Sequence, residues 1–284
     1  MQYVAGLCLK RRRLVVFVAE LAKSSGEFVI CSEVLVTSAT FETKPRSGRE
    51  ADVMETTLHR QLKELYCPDP SQQEVTLDGY RIDAIQDERL IEIQYGSLSA
   101  IRDKVRDLLK NHRVLVVKPL AARKYLIKRN RKQGKIVSSR YSPIRETFNH
   151  LFLDLVHFVG VFPHPGLALE VVLTEQEEHR LPKRKRRWRS KDYRVEDRKL
   201  RSVQDRLCLQ TAADLTAMLP ESISQRSSDT SFSTKDIARE AGMPHWLAQK
   251  MAYCLRKTGA AEIVGKSGNS LLYRLTDAAE SAAA

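Results

Sequence analysis

The segment Arg113 to Leu120, RVLVVKPL, is apolar at consecutive positions rather than at alternate ones. Side chains of a strand point to opposite faces in turn, so an uninterrupted apolar run has to be covered on both. That requirement places this segment deep inside a layered sheet. What precedes it reads in order as a helix, three strands and a second helix. VMETTLHRQLKELY sets Met54, Leu58, Leu62 and Leu65 at helical spacing and is ended by CPDP. EVTLDG, YRIDAI and LIEIQ are the strands, and SLSAIRDKVRDLLKNH is an amphipathic helix. The order is αβββαβ, and the class is mixed α/β (α+β).

The middle strands carry carboxylates where a hairpin is ordinarily apolar or neutral. In GYRIDAIQDERLIEIQYGS, a turn over Asp87-Glu88 puts Asp83 directly opposite Glu92, with Cβ atoms roughly 5 Å apart. Two like charges facing each other across a strand pair repel unless a cation lies between them. A hard divalent ion with oxygen ligands, Mg²⁺ or Mn²⁺, suits that position. The alternative is a solvated hairpin face, and Asp-Glu is not a favoured two-residue turn.

The remainder divides the chain into four parts. Residues 1–50 read as a β-rich segment (LVVFVAEL, EFVICSEVLVTSATF) of unassigned role. Residues 51–180 hold the αβββαβ block and an extension: a basic strand pair, KYLIKRNRKQGKIVSSRY, an apolar helix, FNHLFLDLVHFVGVF, and a strand, LALEVVLT. Residues 181–201 form a basic connector, and residues 202–284 a C-terminal domain that opens with SVQDRLCLQTAADLTAML as a helix. Lys and Arg number 48 against 35 Asp and Glu, a net charge of +13 that points to a polyanionic partner. Twelve of those cations lie between His179 and Arg201. Within that run Lys183, Arg184, Lys185, Arg186, Arg187 and Arg189 can meet phosphates, and Trp188 can stack on a base. A solvated linker or a localisation signal is the competing reading.

Five scattered cysteines without Cys-x-x-Cys spacing argue against a zinc ribbon or a disulfide framework and fit a reducing cytoplasm. KRRRLVVFVAELA places a basic segment before an apolar one, as a secretory signal does, but Glu20 breaks the run and its length cannot span a bilayer. It reads as a strand of a soluble protein, with the secretory reading left open. His150, His157 and His164 make no recognised ligand set and read as structural.

The C-terminal block is the second informative stretch. STKDIAREAGMPHWLAQKMAYCLRKT gives a short helix capped by Ser233, a tight turn and a longer helix closed by Gly259. AEIVGKSGNSLLYRL follows as a hairpin turning over Gly265, Gly268 and Asn269. This order resembles a winged helix-turn-helix over about residues 202–277. The resemblance makes the longer helix a reader of the duplex, with His245, Gln249, Lys250, Tyr253 and Arg256 near one face and Trp246, Leu247, Met251 and Leu255 behind it. Some winged helices bind protein instead.

The αβββαβ block, over about residues 53–130, resembles the core of the PD-(D/E)XK nuclease superfamily, whose members set an acid on one strand and Glu-x-Lys on the next. The resemblance implies that Asp83 and Glu92 are metal ligands, with the Ile93 carbonyl as a further one and Glu55 as a helical acid. Gln94 stands where the lysine usually is, and Lys104, in the following helix, can supply the missing charge. His59, a turn beyond Glu55, is a candidate proton acceptor, although a surface histidine is the simpler reading.

Together these features predict a cytoplasmic, Mg²⁺-dependent nuclease acting on DNA, with catalytic residues Glu55, Asp83, Glu92, Gln94 and Lys104. Duplex DNA is the expected partner and no membrane is. A homodimer or a larger nucleic-acid-processing complex is left open. The rival readings are a catalytically inactive nuclease-fold regulator and an interaction scaffold in a DNA-processing or defence assembly.

Overall fold

The computed structural model describes residues 4–10, 13–19, 55–183, 192–225 and 230–276. The chain divides into two compact units, Met1–Gly48 and Arg49–Ala284. In the first, β1 (Val4–Lys10) and β2 (Arg13–Ala19) pair antiparallel, so the early apolar run is a strand. The expected strands in EFVICSEVLVTSATF lie outside the described residues, as does Met54.

In the second unit α1 (Thr57–Tyr66), β3 (Gln73–Leu77), β4 (Tyr80–Gln86), β5 (Arg89–Ile93), α2 (Arg102–Leu108) and β6 (Arg113–Arg129) succeed one another, the αβββαβ order. β7 (Ile136–Tyr141), α3 (Phe152–Leu155), β8 (Leu167–Pro182) and β9 (Tyr193–Leu209) complete the sheet region. The sheet has seven strands in the order β3-β4-β5-β6-β8-β9, with β7 joined to β6. β6 runs parallel to β5 and β8, and the other pairs are antiparallel. The fold is mixed α+β.

β6 explains the layering. Val114 and Val116 belong to one apolar cluster, with α2, α3 and Phe158, whereas Leu115 and Val117 belong to another, beneath Leu58 and Leu62 of α1. Both faces of this strand are therefore covered, as its unbroken apolar run demands. Leu65 of α1 instead points outward, 47% exposed.

The C-terminal elements are α4 (Ala212–Ala217), α5 (Glu221–Ser224), β10 (Phe232–Ser233), α6 (Thr234–Glu240), α7 (His245–Lys257), β11 (Ala261–Ser267) and β12 (Ser270–Leu275). β10, β12 and β11 form a small sheet in that order. Ser233 and Asp236 make a reciprocal capping box at the start of α6, and Gly259, at φ +81°, follows the end of α7.

Several expectations need correction. SVQDRLCL is not helical: β9 runs to Leu209 and the helix begins at Ala212. The β8–β9 ladder shifts register at three points, so the inward residues Leu200 and Val203 fall three apart, a spacing that imitates a helix. FNHLFLDLVHFVGVF forms only a 3₁₀ turn and one turn of α-helix, and the helix expected over residues 97–112 is α-helical only from Arg102 to Leu108. Residues 181–201 do not connect two bodies. Of these, Leu181 and Pro182 end β8 and residues 193–201 begin β9, with Lys183 N–H donating to the Asp192 carbonyl at 3.1 Å, while residues 184–191 lie outside the described residues. Nor does the core stop near residue 202, because Leu209, Leu215, Ile237, Leu247, Met251 and Leu255 belong to the same apolar cluster as Val114 and Phe158.

Candidate functional site

The β4–β5 turn is formed by Asp87 and Glu88, both in the left-handed region (φ +49° and +61°), the backbone of the two-residue hairpin that follows strand twist. It fixes the pairs Gln86↔Arg89, Ile85↔Leu90 and Ala84↔Ile91. One further step in that register sets Asp83 across from Glu92. On its other side β4 loses its partner here, because the β3–β4 ladder has no Glu74–Asp83 pair and Glu74 takes φ +56°. On the β5 side the ladder stops at Ala84↔Ile91, and beyond it the Asp83 side chain takes over: its Oδ2 accepts the Ile93 N–H at 2.7 Å.

His59, on α1, bridges the cluster. Its Nδ1 lies 2.7 Å from Glu55 Oε1, and its Nε2 lies 3.2 Å from Asp83 Oδ2 and 3.1 Å from the Ile93 carbonyl. Burial opposes a charge on the ring, but hydrogen bonds and attraction from Asp83 and Glu55 outweigh it and raise the pKa to about 9. At neutral pH His59 is a cation, not the proton acceptor its sequence position suggested. Burial likewise works against the Asp83 charge, yet His59 and the Ile93 N–H hold its pKa below the usual carboxylate value.

Glu92 is buried, and burial, aided by the charge of Asp83, lifts its pKa to about 7 against the attraction of Lys104. Lys104 Nζ, on α2, lies 2.7 Å from Glu92 Oε1 and also donates to the Arg81 carbonyl. The Lys104 ammonium is thus the partner of this buried oxygen. Behind the cluster the buried Lys63 pairs with Glu55 at 2.6 Å and with Glu74, which also holds Arg81.

Four of the five residues predicted as catalytic, Glu55, Asp83, Glu92 and Lys104, thus meet at one end of the sheet. Gln94 does not join them: its amide donates to the Ser97 carbonyl at 2.9 Å. Glu55 precedes the N-cap Thr56 and lies just outside the helix in which it was expected. Lys63 and Glu74 were missed. A stripe of Glu55, His59 and Lys63 at four-residue spacing was the available signal for the first, whereas nothing in the sequence marks Glu74. His150 and His164 are structural, accepting from the N–H groups of Thr147 and Gly166.

For a divalent ion the donors on hand are the Asp83 and Glu92 carboxylates and the Ile93 carbonyl, all hard oxygens, with Lys104 2.7 Å from Glu92 Oε1 and His59 Nε2 against Asp83 Oδ2 and the Ile93 carbonyl. This chemistry fits Mg²⁺ or Mn²⁺, which take few protein ligands and keep several waters. Among the described residues no group of three or more His, Cys, Asp or Glu surrounds a common point, so the set rests on two carboxylates and the carbonyl.

A second surface is built on α7. Leu247, Ala248, Met251, Ala252, Cys254 and Leu255 are buried, leaving His245, Gln249, Tyr253 and Arg256 facing outward. These four line a groove of about 410 Å³ completed by Ile263, Asn269 and Leu271 of the β11–β12 hairpin. Lys250 is half-buried and does not line the groove. Trp246, expected in the core, is 50% exposed. Of the basic run, Lys183 closes the β8–β9 loop, while Arg184, Lys185, Arg186, Arg187, Trp188 and Arg189 lie outside the described residues. Among the described residues no helix is long and apolar enough to cross a membrane.

The family model for a domain of unknown function, DUF8091, matches residues 56–210, which takes in α1 to β9 and the whole charged cluster except Glu55. The chain belongs to the DUF8091 family. It is also similar to an uncharacterized protein of Treponema pallidum (strain Nichols), 32% identical over 225 residues that cover 78% of this chain and 85% of that one. No solved structure matches it significantly. The α7 groove lies beyond the part that defines the family.

Proposed function

We propose that this DUF8091 protein is a DNA-binding, divalent-metal-dependent hydrolase of phosphodiester bonds. Its sheet region is read as a PD-(D/E)XK core and residues 212–276 as a winged helix-turn-helix. The observation that carries the reading is the meeting of Asp83, of Glu92 with the adjoining Ile93 carbonyl, and of Lys104, from three places in the sequence, at the end of β5. Asp83, Glu92 and the Ile93 carbonyl would hold Mg²⁺ or Mn²⁺, which when bound supplies a nucleophilic water and neutralises phosphate charge. Lys104 takes the part of the lysine that Gln94 cannot play, its ammonium lying beside Glu92 where a phosphate would bring negative charge. Glu55 and His59 hold Asp83 in place. The free thiols of Cys67, Cys208 and Cys254 suit a reducing, cytoplasmic setting.

A second reading has its own support. Lys104 and His59 already neutralise Glu92 and Asp83, and Gln94 is turned to the Ser97 carbonyl. A nuclease fold that binds DNA without cutting it would look the same. Incubation with supercoiled, linear and single-stranded DNA in Mg²⁺, Mn²⁺ or EDTA separates the two. Metal-dependent cleavage that Glu92→Gln abolishes supports the hydrolase; binding with no cleavage in either metal supports the regulator.

A further inference from the structure

Between Arg123 and Arg145 the chain carries nine Lys and Arg and no Asp or Glu. The structure gathers this segment at one end of the sheet, as the second half of β6, the loop 130–135 and β7. The loop is held in shape: Asn130 N–H donates to the Lys135 carbonyl at 3.2 Å, and Arg129 Nη1 and Gly134 N–H each make a 2.9 Å bond across it. Arg131, Lys132, Lys135 and Arg140 are exposed and have no ion pair among the described residues. These charges contrast with those of β8 and β9 just beside them. There Arg180, Arg198 and Arg201 are tied to Glu178, Glu177 and Glu175. On the β6–β7 hairpin the exposed charges Arg131, Lys132 and Lys135 of the loop and Arg140 of β7 stand without such carboxylate partners among the described residues.

We infer that the β6–β7 hairpin, which runs alongside β8 and is tied to the start of β9 by Lys128–Asp192 at 3.6 Å, is a phosphate-binding arm for duplex DNA distinct from the α7 groove. The inference rests on the proposed function for its partner. Its reach follows from β6 itself. β6 passes the candidate site at Val117, whose carbonyl accepts from Gln94 N–H, and continues to Lys128, 11 residues on. At about 3.3 Å per strand residue the arm extends about 36 Å beyond the site, close to one turn of a duplex. Unpaired cations on an ordered hairpin suit a partner with charge at every step along its length, and they bind it without reading sequence. A different use for the same charges is to keep the outer edge of β7, with Ile136 and Val137 exposed, from pairing with another copy.

The test combines Arg131→Ala, Lys132→Ala and Lys135→Ala in the full chain, with affinity for a 30-base-pair duplex measured in EDTA over a salt series. All three side chains are exposed, so the melting temperature should not move; a fallen melting temperature is met by repeating the series with Lys132→Ala alone. Each phosphate contact contributes about 0.9 to the slope of log affinity against log salt, so the triple variant should flatten the slope by about three, and Lys132→Ala by about one. Protection of the duplex should also shorten by about one helical turn on one side. An unaltered slope with intact binding, or a variant that only self-associates, overturns the arm and leaves the proposed function standing. Failure of the wild-type chain to bind any duplex overturns both, and a flattened slope without cleavage in any metal keeps the arm and removes the hydrolase.

Discussion

The cluster around Asp83 and Glu92 and the outward face of α7 handle polar groups in opposite ways. In the cluster the charges are drawn together and paired, with Lys63 and Glu92 buried and Glu55 at the exposed margin: His59 with Asp83 and Glu55, Lys104 with Glu92, Lys63 with Glu55 and Glu74. On α7 Gln249 and Arg256 stand in solvent along a groove, and no carboxylate pairs with Arg256 among the described residues. Burying charge is costly unless partners are in place, so the cluster is a preorganised device in which removing one member leaves another uncompensated. The α7 face costs little to display and acquires partners only on binding. On the proposed reading the first region serves chemistry at a fixed point and the second contact with a duplex.

The contrast is broken most sharply by taking charge out of the cluster. Glu92→Gln and Asp83→Asn each replace a carboxylate by a neutral amide; under the proposed function this removes several kcal/mol of charge stabilisation at the metal, so metal-dependent cleavage should fall by about three decades. Duplex affinity in EDTA should stay within about twofold, because α7 and the β6–β7 arm are untouched. If affinity fell as far as the rate, the two regions would not be separable. Lys104→Ala should cost about two decades in rate, as loss of one oriented cation does, whereas Lys110→Ala, which pairs with Asp107 on the surface of the same helical segment, should cost nothing measurable. Equal rates for the two variants would reduce Lys104 to a structural partner of Glu92.

Different polar styles do not imply separate bodies. Leu255 on α7 shares one apolar cluster with Val114 on β6. Leu255→Ala should therefore lower the stability of the whole second unit by about 2–5 kcal/mol and leave one transition in denaturant. Two resolved transitions, with only the second displaced, would show that residues 212–276 unfold independently.

The cluster also predicts a dependence on pH. His59 is held at a pKa of about 9, above its ordinary 6.5, so its pairing with Asp83 and Glu55 contributes stability fully below pH 6.5 and loses it as pH rises through 9. Glu92 adds to a decline at lower pH, since its folded pKa of about 7 lies above the ordinary 4.5 and the cost of its burial grows between those values. Lys63 and Lys104 are the other cations facing this group. In the metal-free protein, wild-type melting temperature should fall between pH 6.5 and 9, and His59→Gln should flatten that interval. A parallel fall in both would place its origin elsewhere.

How much of this was legible in the sequence follows from how local each signal is. The hairpin register was readable because two residues fix a turn and the pairs then follow, and the face of α7 was readable because a 13-residue helix repeats its period often enough to be seen. β9 was misread because its bulges break the strand period, and the β8–β9 loop was taken for a connector because charge density says nothing about pairing. Lys104 was found by asking what could replace the charge that Gln94 lacks. Lys63 and Glu74 were not found because their role exists only once β3 and α1 are folded against each other. Trp246 shows the remaining limit: an aromatic residue in the first turn of an amphipathic helix was assigned to the core on hydrophobicity, and the structure leaves it half in solvent.

The smallest expected effect probes the α7 face. Contacts to phosphate raise affinity for every duplex alike, whereas side chains that reach base edges distinguish one duplex from another. Gln249 carries an amide suited to adenine and Arg256 a guanidinium suited to guanine, and both point into the groove beside the β11–β12 hairpin. Gln249→Ala with Arg256→Ala should lower affinity for a preferred duplex, selected from a random pool, by about tenfold, which corresponds to one base contact at the lower end of its range. Affinity for a random duplex should fall by less than about threefold, and the salt slope should lose about one for the single arginine. The gap between the two duplexes is thus the quantity to measure, in EDTA, at two salt concentrations. A gap that persists in the double variant would remove base reading from α7 and leave it, like the β6–β7 arm, a surface that holds the backbone.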